Sequence, residues 1–291
     1  MKPVASMSAH LFLRLCGIAL LLTLAYFGGQ GVARISDGSA ALLPVSGAAS
    51  TSWGLGFGEP GTPPTGTVSA NTLKKYDAYY IEETAEKKLY LTFDCGFENG
   101  NTPAILDALK KHDAPATFFV VGDWVDKYPE SVKALHDAGH EVMNHSLHHD
   151  HYNALTADQV VADVTACNEK IAAITGVTPC LIRCPYGEYD DHVISAIRSM
   201  GMEPIQWDVD SLDWKDYDAD TICQRVTSKL SPGSIVLFHN AALHTPEALP
   251  AILDHMAREG YSLLPISQLI YRENYTIDHA GRQFCQAQSE Q

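Results

Sequence analysis

Tyr90-Leu-Thr-Phe-Asp-Cys-Gly-Phe-Glu-Asn-Gly-Asn-Thr102 runs an apolar strand into an acid, a thiol and a glycine turn. Leu89 to Phe93 reads as a buried strand, and Gly96 with Asn99-Gly100 supplies turn chemistry directly after it. Asp94 is thereby placed at a strand's carboxyl end, where α/β proteins carry their reactive groups. The pattern recurs downstream. Strand-like runs are expected at 88–94, 116–121, 141–144, 181–183, 203–207, 234–238 and 261–264, with helical segments at 102–112, 129–138, 156–175, 190–200, 219–230 and 246–259. Strands alternating with helices of this length mean βα units, so the fold class is α/β: a parallel sheet, closed or nearly closed into a barrel with outer helices. The helix ends agree. Thr156 lies three residues before Gln159 as a capping box requires, and Gly139, Gly176, Gly201 and Gly260 stand where helices should stop.

The 291 residues are 46% apolar and 19% charged, enough to bury the core of one barrel domain. A formal net charge of −15 argues against wrapping nucleic acid, whose phosphates demand a basic face. Lys2 and Arg14 precede the apolar stretch Leu15 to Phe27, which is followed by Gly28, Gly29 and small residues. Residues 1–33 therefore read as an export signal or an N-terminal membrane anchor, and either places the domain outside the membrane. Residues 34–72, rich in Gly, Ser, Pro and Thr without an apolar period, read as a flexible linker. The catalytic domain is expected over 73–275, with 276–291 as a tail. Cys95, Cys167, Cys180, Cys184, Cys223 and Cys285 match neither a dense disulfide framework nor a zinc ribbon, and Cys95 alone falls in a chemically suggestive place.

Further constellations follow other apolar runs. His145 and His149, in Asn-His-Ser-Leu-His-His, are four apart and can share a metal, although a solvated histidine-rich stretch including His148 and His151 reads as readily. Arg183, in Arg-Cys-Pro-Tyr-Gly, can hold a neighbouring carboxylate ionised through paired hydrogen bonds, or simply occupy a turn. Trp207-Asp-Val-Asp-Ser-Leu-Asp-Trp214 mixes acids with indoles, as a sugar's hydroxyls and apolar face require, and also as an exposed acidic loop would. His239 ends Ile235-Val-Leu-Phe238 and, emerging from the same end of a sheet as Asp94, is a candidate acid or base near neutral pH.

Taken in order, these segments resemble the five motifs of the polysaccharide deacetylases, the NodB homology domain of carbohydrate esterase family 4. The resemblance implies a distorted (β/α)7–8 barrel. It implies that Asp94, in Thr-Phe-Asp-Cys-Gly, is the general base, that His145 and His149 bind a divalent metal, and that Arg183 orients the base. The Tyr186 backbone N–H would stabilise the oxyanion, Asp213 would tune the acid histidine, and Trp214 would wall the groove. Leu237 would line the acetyl pocket, and His239 would protonate the leaving amine. Cys95 departs from the pattern, because it takes the place of a family aspartate that ligates the metal. Either the thiolate completes a Cys-His-His site that favours zinc, or Cys95 does not reach and two histidines remain with water. Asp-Cys-Gly-Phe-Glu-Asn-Gly and the His148-His149 doublet resemble the peptidoglycan N-acetylmuramic acid deacetylases, the delta-lactam-biosynthetic branch. The resemblance thus implies an extracytoplasmic de-N-acetylase acting on peptidoglycan. A chitin-like or xylan substrate, or a glycan-binding barrel that has lost activity, is the alternative.

Overall fold

The structure, a computed structural model, describes residues 86–271 and the short strands Leu55–Gly56, Thr65–Gly66, Ile81–Glu82, Tyr275–Ile277 and Arg282–Cys285. Its centre is a parallel sheet of β1 (Lys88–Cys95), β2 (Thr117–Val120), β3 (Glu141–Asn144), β4 (Leu181–Ile182), β5 (Glu203–Pro204), β6 (Val209–Asp210), β7 (Ile235–His239) and β8 (Ser262–Leu263). The strand order is β5-β4-β3-β2-β1-β7-β6, with β8 paired to the first residues of β1. Seven helices connect them: α1 (Thr102–Lys111), α2 (Gly122–Lys127), α3 (Pro129–Asp137), α4 (Ala157–Thr175), α5 (Asp191–Ser199), α6 (Ala219–Thr227) and α7 (Thr245–Arg258). The sheet curls into a half-barrel and stays open. Its two end strands, β5 and β6, are neighbours in sequence but are not paired with each other among the described residues.

Alternation along β1 sorts its side chains into two layers. Leu89, Leu91, Phe93 and Cys95 join the apolar cluster that includes helix residues such as Ile105, Leu109, Ile252 and Leu253. Tyr90 faces the barrel interior with Phe119, Met143 and Leu237. Phe93 stacks on its register neighbours Phe118 and Phe238, with ring centroids 4.9 and 5.4 Å apart. Such cross-strand aromatic pairs add about 0.5–1.5 kcal/mol each beyond burial, so the central strand is fixed in register as well as in depth.

Register then decides which residues meet above the sheet. Asp94 pairs directly with His239 across β1 and β7. Cys95, Val120, Asn144 and Ile182 form a row across β1 to β4, so the next residues, His145 and Arg183, leave their strands side by side.

One expected strand differs from the structure, and two spans outside the barrel contain short strands. The run 203–207 is strand only to Pro204, whose ring removes a ladder donor, and the separate edge strand β6 follows. Within the span read as a linker, Leu55–Gly56 pairs antiparallel with Thr65–Gly66. In the span read as a tail, Arg282–Cys285 pairs with Tyr275–Ile277 and with Ile81–Glu82, so this end of the chain is part of a three-stranded sheet. The expected export segment, 1–33, lies outside the described residues. Among those described, no helix is long and apolar enough to cross a membrane.

Candidate active site

A cavity of about 710 Å³ opens at the carboxyl ends of the strands, lined by Asp94, His145, His149, Tyr186, Trp214, Leu237 and His239 among others. Asp94 is held from below. Its Oδ1 accepts a 2.8 Å bond from Arg183 Nη1, which also donates to Thr92 Oγ1 at 2.8 Å. Its Nε donates to the Ile205 carbonyl and its Nη2 to that of Gln206, and the group lies over the rings of Phe119 and Trp207. Arg183 is fully buried. Burial alone would raise the Asp94 carboxyl, but the charge of Arg183, with His145 and His239, outweighs it and keeps Asp94 below the ordinary carboxylate value. Asp94 Oδ2 is left facing the cavity.

His145 and His149 share a loop that two helices clamp. The N–H of Leu147 and the Tyr152 hydroxyl both donate to Asp163 Oδ1 of α4, at 2.9 and 2.6 Å. Asn144 accepts from the Ser146 N–H and donates to Asn168 of the same helix. On the other side, the Gly122 and Asp123 amides of α2 donate to the carbonyls of Ser146 and Leu147. A Cβ at Gly122 would meet Leu147 Cδ1 at 2.6 Å, so glycine permits this approach. Ser146 and His149 both adopt positive φ, 72° and 61°, a costly conformation that this network maintains, with Ser146 Oγ accepting from the His149 N–H at 2.8 Å.

The His145 Nδ1–H donates to the Arg183 carbonyl at 2.7 Å, which leaves Nε2 with its lone pair 3.4 Å from Asp94 Oδ2. Two acceptors thus face one another, an arrangement that a cation between them would relieve. The His149 ring stands 4.9 Å from that of His145, centroid to centroid. Burial lowers both imidazoles, His149 down to about 4 with the charge of His145 adding to the effect, so both are neutral donors at neutral pH. This donor set fits a divalent ion held by His145 and His149.

Cys95 is not brought to that pair. It lies on the helix-facing side of β1, fully buried in the apolar cluster, and its S–H points back toward the Phe93 carbonyl at 3.9 Å. Burial, and secondarily the charge of Asp94, pushes the thiol well above its usual value. Of the two arrangements the sequence leaves open, this placement fits the one in which Cys95 does not reach the histidine pair: the thiol stays protonated in an apolar layer. With added zinc as the probe ion, Cys95→Ala is expected to leave its dissociation constant within about 3-fold of wild type. His149→Ala should weaken it by more than the roughly 10–100-fold that loss of an outer-shell partner costs. A large loss in the cysteine variant would return Cys95 to the metal.

Opposite Asp94, Asp213 is fully buried and aims His239. Asp213 Oδ1 accepts the His239 Nδ1–H at 2.7 Å, while Oδ2 takes the His239 backbone N–H at 2.8 Å and the Thr245 hydroxyl at 2.6 Å. The ring's Nε2 is free for the cavity. Burial lowers the His239 imidazole, but its hydrogen bond to Asp213, with the charges of Asp213, Asp94 and Asp210, outweighs this and raises it above the ordinary histidine value.

Tyr186 adopts φ 58°, and no described residue accepts its N–H. Gly187, at φ 69°, packs so closely that a Cβ would meet the Trp207 ring at 2.8 Å. Gln206 Nε2 donates to the Gly187 carbonyl at 2.7 Å and secures this turn. Trp214 is 56% exposed at the cavity rim, and Leu237 is buried in its wall. Sequence reading missed Asp163, Tyr152, Thr245 and Gln206, which act on the site from other elements. Asp210, within the acid- and indole-rich stretch but given no role of its own there, is a cavity-lining carboxylate raised by burial.

Comparison with known proteins bears on this geometry. The polysaccharide deacetylase family model matches residues 81–205. The chain is 34% identical over 230 residues to the peptidoglycan-N-acetylmuramic acid deacetylase PdaA of Bacillus subtilis, covering 77% of this chain and 88% of that protein. The solved structure of the same relative, described as a family 4 carbohydrate esterase, superposes with a TM-score of 0.70 at 35% identity, covering 75% of this chain and 95% of that one. PdaC of the same organism, another peptidoglycan-N-acetylmuramic acid deacetylase, is 37% identical over 65% of this chain and 40% of that protein. A Bacillus anthracis structure described as a pseudoenzyme of carbohydrate esterase family 4 matches at 32% identity and a TM-score of 0.64, over 72% of this chain and 70% of that one. By sequence, by fold and by the order of its motifs, this chain belongs to the polysaccharide deacetylase family, carbohydrate esterase family 4.

Proposed function

We propose that this hydrolase removes the acetyl group from an amino sugar of peptidoglycan, N-acetylmuramic acid in particular, outside the cytoplasm. The observation that carries the reading is the opposed pair of dyads, Arg183–Asp94 and Asp213–His239, on adjacent strands at the floor of one cavity. The peptidoglycan-N-acetylmuramic acid deacetylases among its relatives support the substrate. A net charge of −15 leaves nucleic acid an implausible partner.

The chemistry follows from which atoms are free. Asp94, clamped through Oδ1, offers Oδ2 to take a proton from the attacking water. The carbonyl oxygen, as it gains charge, is met by the unpartnered Tyr186 N–H. Leu237 gives the acetyl methyl an apolar wall, and Trp214 flanks the sugar. His239, protonated and aimed by Asp213, delivers its Nε2 proton to the departing nitrogen. The C–N bond breaks, acetate leaves, and the sugar keeps a free amine. A divalent ion on His145 and His149, zinc being one of those that imidazole suits, would supply Lewis acidity toward water and the acetyl oxygen.

The test is acetate release from isolated glycan strands supplied with zinc, followed by mass spectrometry of the sugars. New amines on muramic acid residues are expected. Amines confined to glucosamine would overturn the sugar assignment. No acetate from any acetylated glycan would favour the second reading, a catalytically silent glycan-binding barrel, which similarity to a pseudoenzyme of the family keeps in play.

A further inference from the structure

Phe97, outside the machinery described above, is 69% exposed at the cavity rim, more than any other large apolar side chain described. A single exposed ring is ordinary, but this one lines the same cavity as two other exposed rings, Tyr186 and Trp214, and such a cluster marks a binding surface. Phe97 stands edge-on to His149, with centroids 6.1 Å apart, and Tyr186, itself 51% exposed, stands edge-on to the same imidazole at 4.5 Å. His151 stacks flat on Tyr186 at 4.2 Å and an 11° interplanar angle, which stiffens that ring. Phe97 and Tyr186 thus form an aromatic flank on one side of the reacting centre. Trp214 rises from the far arm of the curled sheet, after β6, so the cavity is flanked by rings on both sides.

Rings on both flanks suit a chain of sugars, because each pyranose offers an apolar C–H face to an aromatic surface while its hydroxyls stay in water. The cavity is larger than one pyranose ring occupies, and it runs without a break from Asp94 to Phe97. Building on the deacetylase reading of this cavity, we propose that Phe97 is a binding residue: with Tyr186 it forms a stacking platform for the sugar next to the one being deacetylated. The enzyme thereby selects glycan strands over single acetylated sugars. Because the ring is exposed, its removal costs the fold little, and the effect falls on substrate.

The experiment compares wild type, Phe97→Ala and Phe97→Tyr on N-acetylmuramic acid alone, on peptide-free glycan fragments of two to six sugars that contain it, and on longer peptide-free glycan strands. Acetate release and calorimetric binding are both measured. Phe97→Ala is expected to weaken binding and raise KM about 3- to 10-fold on chains of two or more units, with kcat, monosaccharide binding and Tm unchanged. Phe97→Tyr should restore wild-type values. Equal losses on monosaccharide and chain, or no change on either, would overturn the platform. If wild type releases no acetate from any substrate, the deacetylase reading fails, and the calorimetric comparison still decides whether Phe97 grips a sugar chain.

Discussion

Asp94→Asn is expected to lower kcat for acetate release by about 10²–10⁴-fold, the range that a positioned general base contributes. The amide cannot take a proton from water, yet its oxygen can still accept the 2.8 Å bond that Arg183 now gives to Oδ1. Geometry is therefore preserved while basicity is lost. Removing the negative charge leaves Arg183 buried without a counter-charge, and breaking a buried pair costs up to about 3–5 kcal/mol. Here the cost should fall toward the lower end. Arg183 keeps Thr92 Oγ1, two carbonyls and two aromatic faces. In the metal-free protein the amide nitrogen can also donate to His145 Nε2, where two acceptors now stand 3.4 Å apart. The check is turnover measured beside Tm and zinc content. A folded, zinc-loaded variant that still releases acetate at the wild-type rate would remove Asp94 from the role of base.

The case for Asp94 was legible in the chain before any coordinates, and the reason is local. Leu89 to Phe93 is a continuous apolar run ended by a glycine turn, so both the strand and the residue at its tip could be read directly. His239 follows an equivalent run. Arg183 follows only Leu181 and Ile182, and its partner became certain only from the register linking Ile182 to Asn144. Helix α2 was not legible: it begins one residue after the strand-like run 116–121, with no break between them, and is too short for an apolar period to emerge.

Cys95 is the instructive case. Its place in the motif suggested a ligand, whereas the parity of its own strand argued otherwise. Leu89, Leu91 and Phe93 fix one face as apolar, and Cys95 continues that face while Thr92 and Asp94 share the other. Asp163 and Tyr152 could not have been assigned from sequence, because their task is to secure a loop on a different element through bonds that no spacing rule encodes. Gln206 and Thr245 are hidden in the same way.

Asp213→Asn should produce the second large effect, and its signature is a displaced pH profile as well as a slower enzyme. Burial by itself lowers the His239 imidazole, and the hydrogen bond and charge of Asp213 are the leading influences that reverse this. A raised histidine stays protonated to higher pH than an ordinary one, so the wild-type rate should fall on the alkaline side, as pH rises through that elevated value. Without the carboxylate, burial regains ground and the remaining charges of Asp94 and Asp210 oppose it alone. The alkaline limb must therefore move to lower pH, leaving less of the acid form at neutrality. Orientation suffers as well. An amide can present its NH₂ to Nδ1 and favour the tautomer with the proton on Nε2, and it then serves the Thr245 hydroxyl and the His239 N–H less well than Oδ2 does. The combined loss at pH 7 is expected to reach about 10²–10⁴-fold in kcat, the scale of general acid catalysis. Full pH–rate profiles of wild type and variant, with zinc saturating in both, make the measurement. An alkaline limb that stays where the wild type has it would mean that another group donates the proton, and His239 would lose its assignment as the acid.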